Sequence, residues 1–123
     1  MSEGAVRVLV VDDDPTLLSL VERTLSGEGF SVRTESSPIG VTNVVCDFAP
    51  HLVLLDVNIP ALSGPSLIAI SRRWAPPGTR FVLYSSADES RLRSLAREFG
   101  ADGWLSKSIT GTELVTRLRG ILR

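Results

Sequence analysis

The sequence lacks most features of a secreted, membrane-bound or nucleic-acid-binding chain. Its 123 residues include one cysteine, so no internal disulfide can form and a reducing intracellular setting fits. No apolar stretch approaches the roughly 20 residues that span a bilayer. The polar start at residues 1–4 has no secretory signal pattern, and a net charge of −1 gives no basic surface for nucleic acid. We therefore expect a cytoplasmic domain that contacts neither membrane nor nucleic acid.

Three residue types that occur rarely carry separate expectations. Cys46 lies beside Val44 and Val45 in a predicted helix and is interpreted as a small core residue. His51 precedes a strand and is interpreted as structural or solvent-exposed. Lys107 is the only lysine, because every other fixed cation is an arginine. A single lysine among arginines suggests a position that requires the compact ammonium and flexible side chain of lysine rather than the planar guanidinium of arginine.

Apolar runs alternate with helical patterns along the whole chain. Strands are predicted over residues 6–11, 30–34, 52–55, 81–84 and 104–105, and helices within 14–27, 37–50, 67–74, 88–99 and 110–122. Asp14 before Pro15 is a typical N-cap, and Thr110 with Glu113 fits a capping box. The pattern predicts one α/β domain over 1–123, with a core at about 6–122. Its sheet is parallel, with right-handed crossovers and helices on both faces.

Polar side chains follow the predicted strands at their carboxyl ends. Asp12, Asp13 and Asp14 follow the first strand, Asp56 the third and Ser86 the fourth, while Lys107 follows the fifth. Ligands of open parallel sheets sit beyond these ends. Acidic oxygens there suit Mg²⁺, a carboxylate can form an acyl phosphate, and phosphoryl transfer needs neutralised oxygens. Asp14 is better explained as a helix cap, and Asp56, Ser86 or Lys107 alone would be a weak signal. Together they predict a phosphoryl site.

The chain resembles a response-regulator receiver domain of two-component signalling from about residue 7 to residue 122. The matching motifs are Leu9-Val10-Val11-Asp12-Asp13, Leu54-Leu55-Asp56-Val57-Asn58-Ile59-Pro60 with Gly64, Ser86-Ala87, and Gly100-Ala101-Asp102 leading to Lys107. The resemblance implies a flavodoxin-like, doubly wound sheet of five parallel strands in the order 2-1-3-4-5, with five helices.

The resemblance also implies a role for each matched residue. Asp56 would accept a phosphoryl group from a histidine kinase or phosphotransfer protein. Asp13, Asp56 and the Asn58 backbone carbonyl would bind Mg²⁺ directly, and Asp12 would hold it through water. Ser86 and Lys107 would bind the phosphoryl oxygens. Such a domain supports its own phosphorylation and dephosphorylation but is not a turnover enzyme.

Two positions depart from the family pattern. Ser108 follows the lysine, where proline with a cis peptide bond is common; a cis bond to serine would cost about 2.5–4 kcal/mol, so we expect a trans bond or local strain. Trp104 occupies the switch position, usually tyrosine or phenylalanine, which would respond to movement of Ser86. The face of the fourth helix, fifth strand and last helix is then a candidate partner surface, including for a homodimer.

Two other functions stay open. Asp12-Asp13-Asp14-Pro15-Thr16 also fits the start of a haloacid-dehalogenase-type phosphatase, with Asp12 as nucleophile and Asp14 as acid/base. That function needs a late acidic pair, whereas Glu113 is the only acid after Lys107. The third possibility is a receiver fold that serves only as a binding module without phosphorylation.

Overall fold

Strands and helices alternate strictly along the chain. The computed structural model describes residues 4–57 and 64–123. The strands are β1 (Arg7–Val11), β2 (Ser31–Glu35), β3 (Leu52–Leu55), β4 (Arg80–Ser85) and β5 (Gly103–Ser106). The helices are α1 (Pro15–Ser26), α2 (Val41–Phe48), α3 (Gly64–Trp74), α4 (Glu89–Phe99) and α5 (Gly111–Leu122). The five predicted strand–helix pairs are therefore confirmed.

The strands form one parallel sheet in the order β2-β1-β3-β4-β5. The order and the five helices confirm the doubly wound, flavodoxin-like α/β fold. Val11 pairs with Leu55, and Leu55 pairs with Leu83, so the central strands finish level with one another. Their carboxyl ends define one edge of the sheet, called the carboxyl edge below. The opposite edge, where the strands begin, is called the amino edge.

The core has two layers because the sheet is covered on both faces. Leu9, Val53 and Phe81 belong to the layer that packs against α2, α3 and α4. Their neighbours Val8 and Leu52 belong to the layer that packs against α1 and α5. Successive side chains of a strand point to opposite faces, so a strand buried on both faces must be apolar throughout. This explains the continuous apolar runs that end at the carboxyl edge.

Two local expectations are wrong. Cys46 is exposed rather than part of the core, since α2 turns Val41, Val44 and Val45 inward and carries the next position outward. The capping box does not form, because Thr110 makes no side-chain cap hydrogen bond and Glu113 pairs with Arg117 at 3.2 Å instead.

Three other local expectations are met. Asp14 caps α1, accepting hydrogen bonds from the backbone N–H groups of Thr16 and Leu17. His51 is exposed and structural at once, since its Nδ1 accepts the Arg7 N–H at 2.9 Å. The Lys107–Ser108 peptide bond is trans.

Candidate functional site

β1 and β3 carry two buried aspartates to the carboxyl edge. The ladder continues one residue past each strand: Asp12 N–H donates to Glu35 O at 3.0 Å, and Asp56 N–H donates to Val11 O at 3.0 Å. Asp12 is 1% exposed and Asp56 is 5% exposed. Burying a carboxylate is costly unless a cation or donors compensate. The sheet therefore holds both groups where a partner is required.

A third carboxylate completes an acidic cluster. One oxygen from each of Asp12, Asp13 and Asp56 lies within 4.8 Å of the others, and among the described residues no other such group of acidic, histidine or cysteine ligands occurs. Asp13 is exposed, so the cluster opens to solvent on one side. Asp14 serves the helix cap, while its N–H donates to Asp12 Oδ1 at 3.0 Å. The structure thus brings together three of the four predicted metal ligands; Asn58, the fourth, lies outside the described residues.

Lys107 neutralises part of this charge. Its Nζ lies 2.8 Å from Asp12 Oδ2 and 3.3 Å from Asp56 Oδ1. Partial burial by itself lowers the pKa of Lys107, but the hydrogen bond with Asp12 and the charges of Asp56 and Asp12 outweigh it, so the pKa is raised. The ammonium therefore stays charged across the neutral range.

The charges of the cluster do not balance. Three carboxylates face one ammonium, and like charges held this close repel unless a further cation intervenes. Hard divalent cations prefer oxygen ligands, and Mg²⁺ is usually bound by one or two carboxylates together with several waters. The donor set formed by Asp12, Asp13 and Asp56, open to solvent at Asp13, fits that ion.

The two predicted switch residues lie on neighbouring elements. Ser86 directly follows β4 at the carboxyl edge and is exposed. Trp104 lies in β5, is partly buried, and packs against the core layer beneath α2, α3 and α4. The Arg93 guanidinium lies 5.8 Å from the centre of the Trp104 ring. An arginine of α4 therefore covers the indole on the face proposed to change shape.

One polar side chain near the site was not predicted from the sequence. Tyr84 is 1% exposed in β4, and its hydroxyl donates to the Ile109 carbonyl at 2.7 Å. Burial raises the pKa of Tyr84, the charge of Lys107 lowers it and that of Asp12 raises it, with a net upward shift. A tyrosine in a doubly buried strand must find a hydrogen-bond partner for its hydroxyl, which was the signal available in the sequence.

Comparison with known proteins places the chain in a family. Residues 8–119 match the model of the family described as the response regulator receiver domain. The chain belongs to this family. The family acts in two-component signalling and is not a family of turnover enzymes.

Its curated relatives include longer regulators. It is 34% identical over 117 residues to the DNA-binding response regulator MtrA of Mycolicibacterium smegmatis, covering 95% of this chain and 50% of MtrA. It is also 34% identical over 129 residues to the transcriptional regulatory protein GltR of Pseudomonas aeruginosa, covering 100% of this chain and 51% of GltR. The chain thus spans about half the length of the curated relatives it matches.

Solved receiver domains share the fold. The receiver domain of the putative response regulator NarL from Mycobacterium tuberculosis is 31% identical with a TM-score of 0.81, covering 96% of each chain. The BeF3-activated receiver domain of Klebsiella pneumoniae RstA is 29% identical with a TM-score of 0.82, covering 95% of this chain and 98% of that one.

Within the described residues, no helix is both long and apolar enough to cross a membrane.

Proposed function

We propose that this receiver domain takes a phosphoryl group onto Asp56 from a histidine kinase or phosphotransfer protein, with Mg²⁺, in the cytoplasm. The proposal depends on one observation: Lys107 Nζ pairs with both Asp12 and Asp56, which belong to a cluster of three carboxylates. A structural ion pair needs one acid and one base. A surplus of acids around a single lysine is instead suited to binding a cation and an incoming phosphoryl group together.

The bonds of the other buried aspartate support the assignment of the nucleophile to Asp56. Asp12 Oδ1 accepts the Asp14 N–H at 3.0 Å, and Asp12 Oδ2 lies 2.8 Å from Lys107 Nζ. With both oxygens engaged, Asp12 is a poor nucleophile and a good anchor for the lysine. The same ammonium lies farther from Asp56, at 3.3 Å from Oδ1. This favours Asp56 over the phosphatase alternative, in which Asp12 attacks.

The transfer exchanges one bond for another. An Asp56 oxygen attacks phosphorus, the new O–P bond replaces the N–P bond of a phosphohistidine, and the leaving imidazole takes up a proton. Lys107 and Ser86 donate to the equatorial phosphoryl oxygens, where the charge accumulates. Asp13, Asp56 and the Asn58 carbonyl would hold Mg²⁺ directly, and Asp12 would hold it through a water. The ion would supply positive charge beside the phosphoryl oxygens.

The family's relatives support a wider proposal for the readout. MtrA is named as a DNA-binding response regulator, and the RstA receiver domain is described as activated by BeF3. We expect phosphorylation to shift Ser86 and Trp104 and to change the face formed by α4, β5 and α5, which would bind a downstream partner or a second copy. This domain itself would not contact nucleic acid.

Phosphorylation with acetyl phosphate and Mg²⁺ tests the acceptor. Intact-mass measurement should show the addition of one phosphoryl group, peptide mapping should place it on Asp56, and Asp56→Asn should abolish it. Asp12→Asn should leave the acceptor in place. The matched control is Asp47→Asn, which removes an exposed acid of α2 and should change nothing. A phosphoryl group found on Asp12 would support the phosphatase function, and no modification at all would support the binding module.

A further inference from the structure

The segment that carries Lys107 has no proline to fix its shape. Proline locks φ at about −65°, whereas this chain has Ser108 after the lysine and a trans peptide bond between them. A lysine side chain is flexible and loses considerable entropy when it is held. Lys107 nevertheless reaches two carboxylates that follow two different strands. Other bonds must hold the loop that presents it.

A tyrosine from the core holds the far side of this loop. Tyr84 extends from β4 through the layer beneath α1 and α5, and its hydroxyl donates to the carbonyl of Ile109 at 2.7 Å. On the near side, Lys107 N–H donates to Ser85 O at 2.8 Å, which continues the β4–β5 ladder. Two adjacent residues of one strand therefore fix the backbone on both sides of the lysine.

Two serine hydroxyls close the turn between these contacts. Ser106 Oγ accepts the Ser108 N–H at 3.2 Å and lies 2.8 Å from Ser108 Oγ. Ile109 N–H donates to Ser106 O at 2.9 Å. The turn is thus tied internally by serines and tied to the core by Tyr84, in the absence of the proline ring.

We propose that Tyr84 is a positioning residue for Lys107: its hydroxyl, supported by Ser106, sets the trans loop that delivers the ammonium to Asp12 and Asp56. The proposal rests on the proposed function, since it concerns the rate at which Asp56 is phosphorylated. Tyr84 does not touch the acceptor in this role. It acts by removing the conformations in which Lys107 points away from the site.

The test uses Tyr84→Phe, which removes one oxygen and keeps the buried ring. The matched control is Thr79→Val. Thr79 is also buried, and its hydroxyl donates to the backbone carbonyl of Pro50 at 2.8 Å, but it lies at the amino edge. Both variants lose one buried hydroxyl-to-carbonyl bond, but only Tyr84→Phe loses it next to Lys107. Phosphorylation by acetyl phosphate with Mg²⁺ is measured by intact mass. Tyr84→Phe should be slower by about fivefold, the rate equivalent of one ordinary hydrogen bond, and Thr79→Val should match the wild type.

A second readout reports on the lysine itself. Lys107 is the only lysine, so labelling with ¹³Cε-lysine gives a single side-chain signal in NMR spectra. In Tyr84→Phe this signal should move towards that of a free lysine, and Ser106→Ala should move it in the same direction. Thr79→Val should leave it in place.

A double-mutant cycle separates positioning from general stability. In a Lys107→Ala background, Tyr84→Phe should cause no further loss of phosphorylation rate, because its effect passes through the lysine. A rate in Tyr84→Phe equal to that of the wild type would overturn the inference, as would an equal loss in Thr79→Val or an undiminished loss without Lys107. A wild-type protein that takes up no phosphoryl group would instead refute the proposed function.

Discussion

The two edges of the sheet use similar side chains for opposite purposes. At the amino edge, Asp102 Oδ2 accepts the Phe81 N–H at 2.8 Å and pairs with Arg72 Nη2 at 3.0 Å. The same Nη2 donates to Gly100 O at 2.7 Å, and the guanidinium lies 4.8 Å from the centre of the Phe81 ring. One acid and one base are matched there, and the remaining donors and acceptors are backbone groups.

The carboxyl edge is unbalanced by comparison. Three carboxylates cluster there, two of them buried, and one ammonium pairs with the two buried ones. Charge that is matched and tied to backbone groups stabilises a fold, whereas surplus charge of one sign costs stability and is retained for binding. Charge balance, rather than the presence of charge, therefore distinguishes the candidate site from a structural ion pair.

Removing the cation of the carboxyl edge should have the largest effect. Lys107→Met removes the ammonium that pairs with the buried carboxylates of Asp12 and Asp56 and should lower the free energy of unfolding by about 3 kcal/mol in metal-free protein. The control is Arg117→Met, the cation of an exposed pair with Glu113, which should cost less than about 1 kcal/mol. Urea denaturation measures both. Equal losses of unfolding free energy in Lys107→Met and Arg117→Met would contradict the view that Lys107 offsets repulsion between carboxylates at the carboxyl edge.

The pH dependence of that loss follows from the sign of the pKa shift. The pKa of Lys107 is raised in the folded protein, so its contribution is complete below the unfolded-state pKa. It disappears as the pH rises through the higher folded-state value. The difference between the wild type and Lys107→Met should therefore be constant near neutral pH and shrink only under strongly alkaline conditions.

Breaking the amino edge should cost less and leave function intact. Asp102→Ala removes the acceptor of the Phe81 N–H and the partner of Arg72, and an unpaired backbone donor costs about 1–3 kcal/mol. The variant should unfold about 2 kcal/mol more easily in urea but still accept one phosphoryl group on Asp56. Glu89→Ala, which breaks the exposed pair with Arg93, is the control and should cost less than about 0.5 kcal/mol. Loss of phosphorylation in Asp102→Ala would contradict this prediction and show that the amino edge also contributes to function.

The sequence was most informative where one residue type had few explanations. Asp14 was explained as the helix cap, so Asp12 and Asp13, which directly follow the first strand, remained for a site at the carboxyl edge, where the structure places them in the acidic cluster. The strand order followed from the family resemblance and is confirmed.

The contacts that depend on three-dimensional packing were not predictable. Tyr84 meets Ile109 only because β4 and β5 are neighbours, and Arg72 meets Asp102 across 30 positions of the chain. Local rules also failed where a competing partner was available, as when Glu113 paired with Arg117 rather than closing a capping box.

The smallest expected effect is the change in stability caused by Asp13→Ala, whose sign depends on whether the metal is bound. Asp13 is the exposed member of the cluster, so Asp13→Ala should slightly stabilise metal-free protein by relieving repulsion with Asp12 and Asp56. In the wild type, Mg²⁺ at ten times its Kd should add about 1.4 kcal/mol by mass action, and Asp13→Ala should lose most of that gain. Thermal denaturation with EDTA or with Mg²⁺ measures both terms. An undiminished Mg²⁺ response in Asp13→Ala would move the metal away from this cluster and leave the surplus of carboxylates at the carboxyl edge without its proposed purpose.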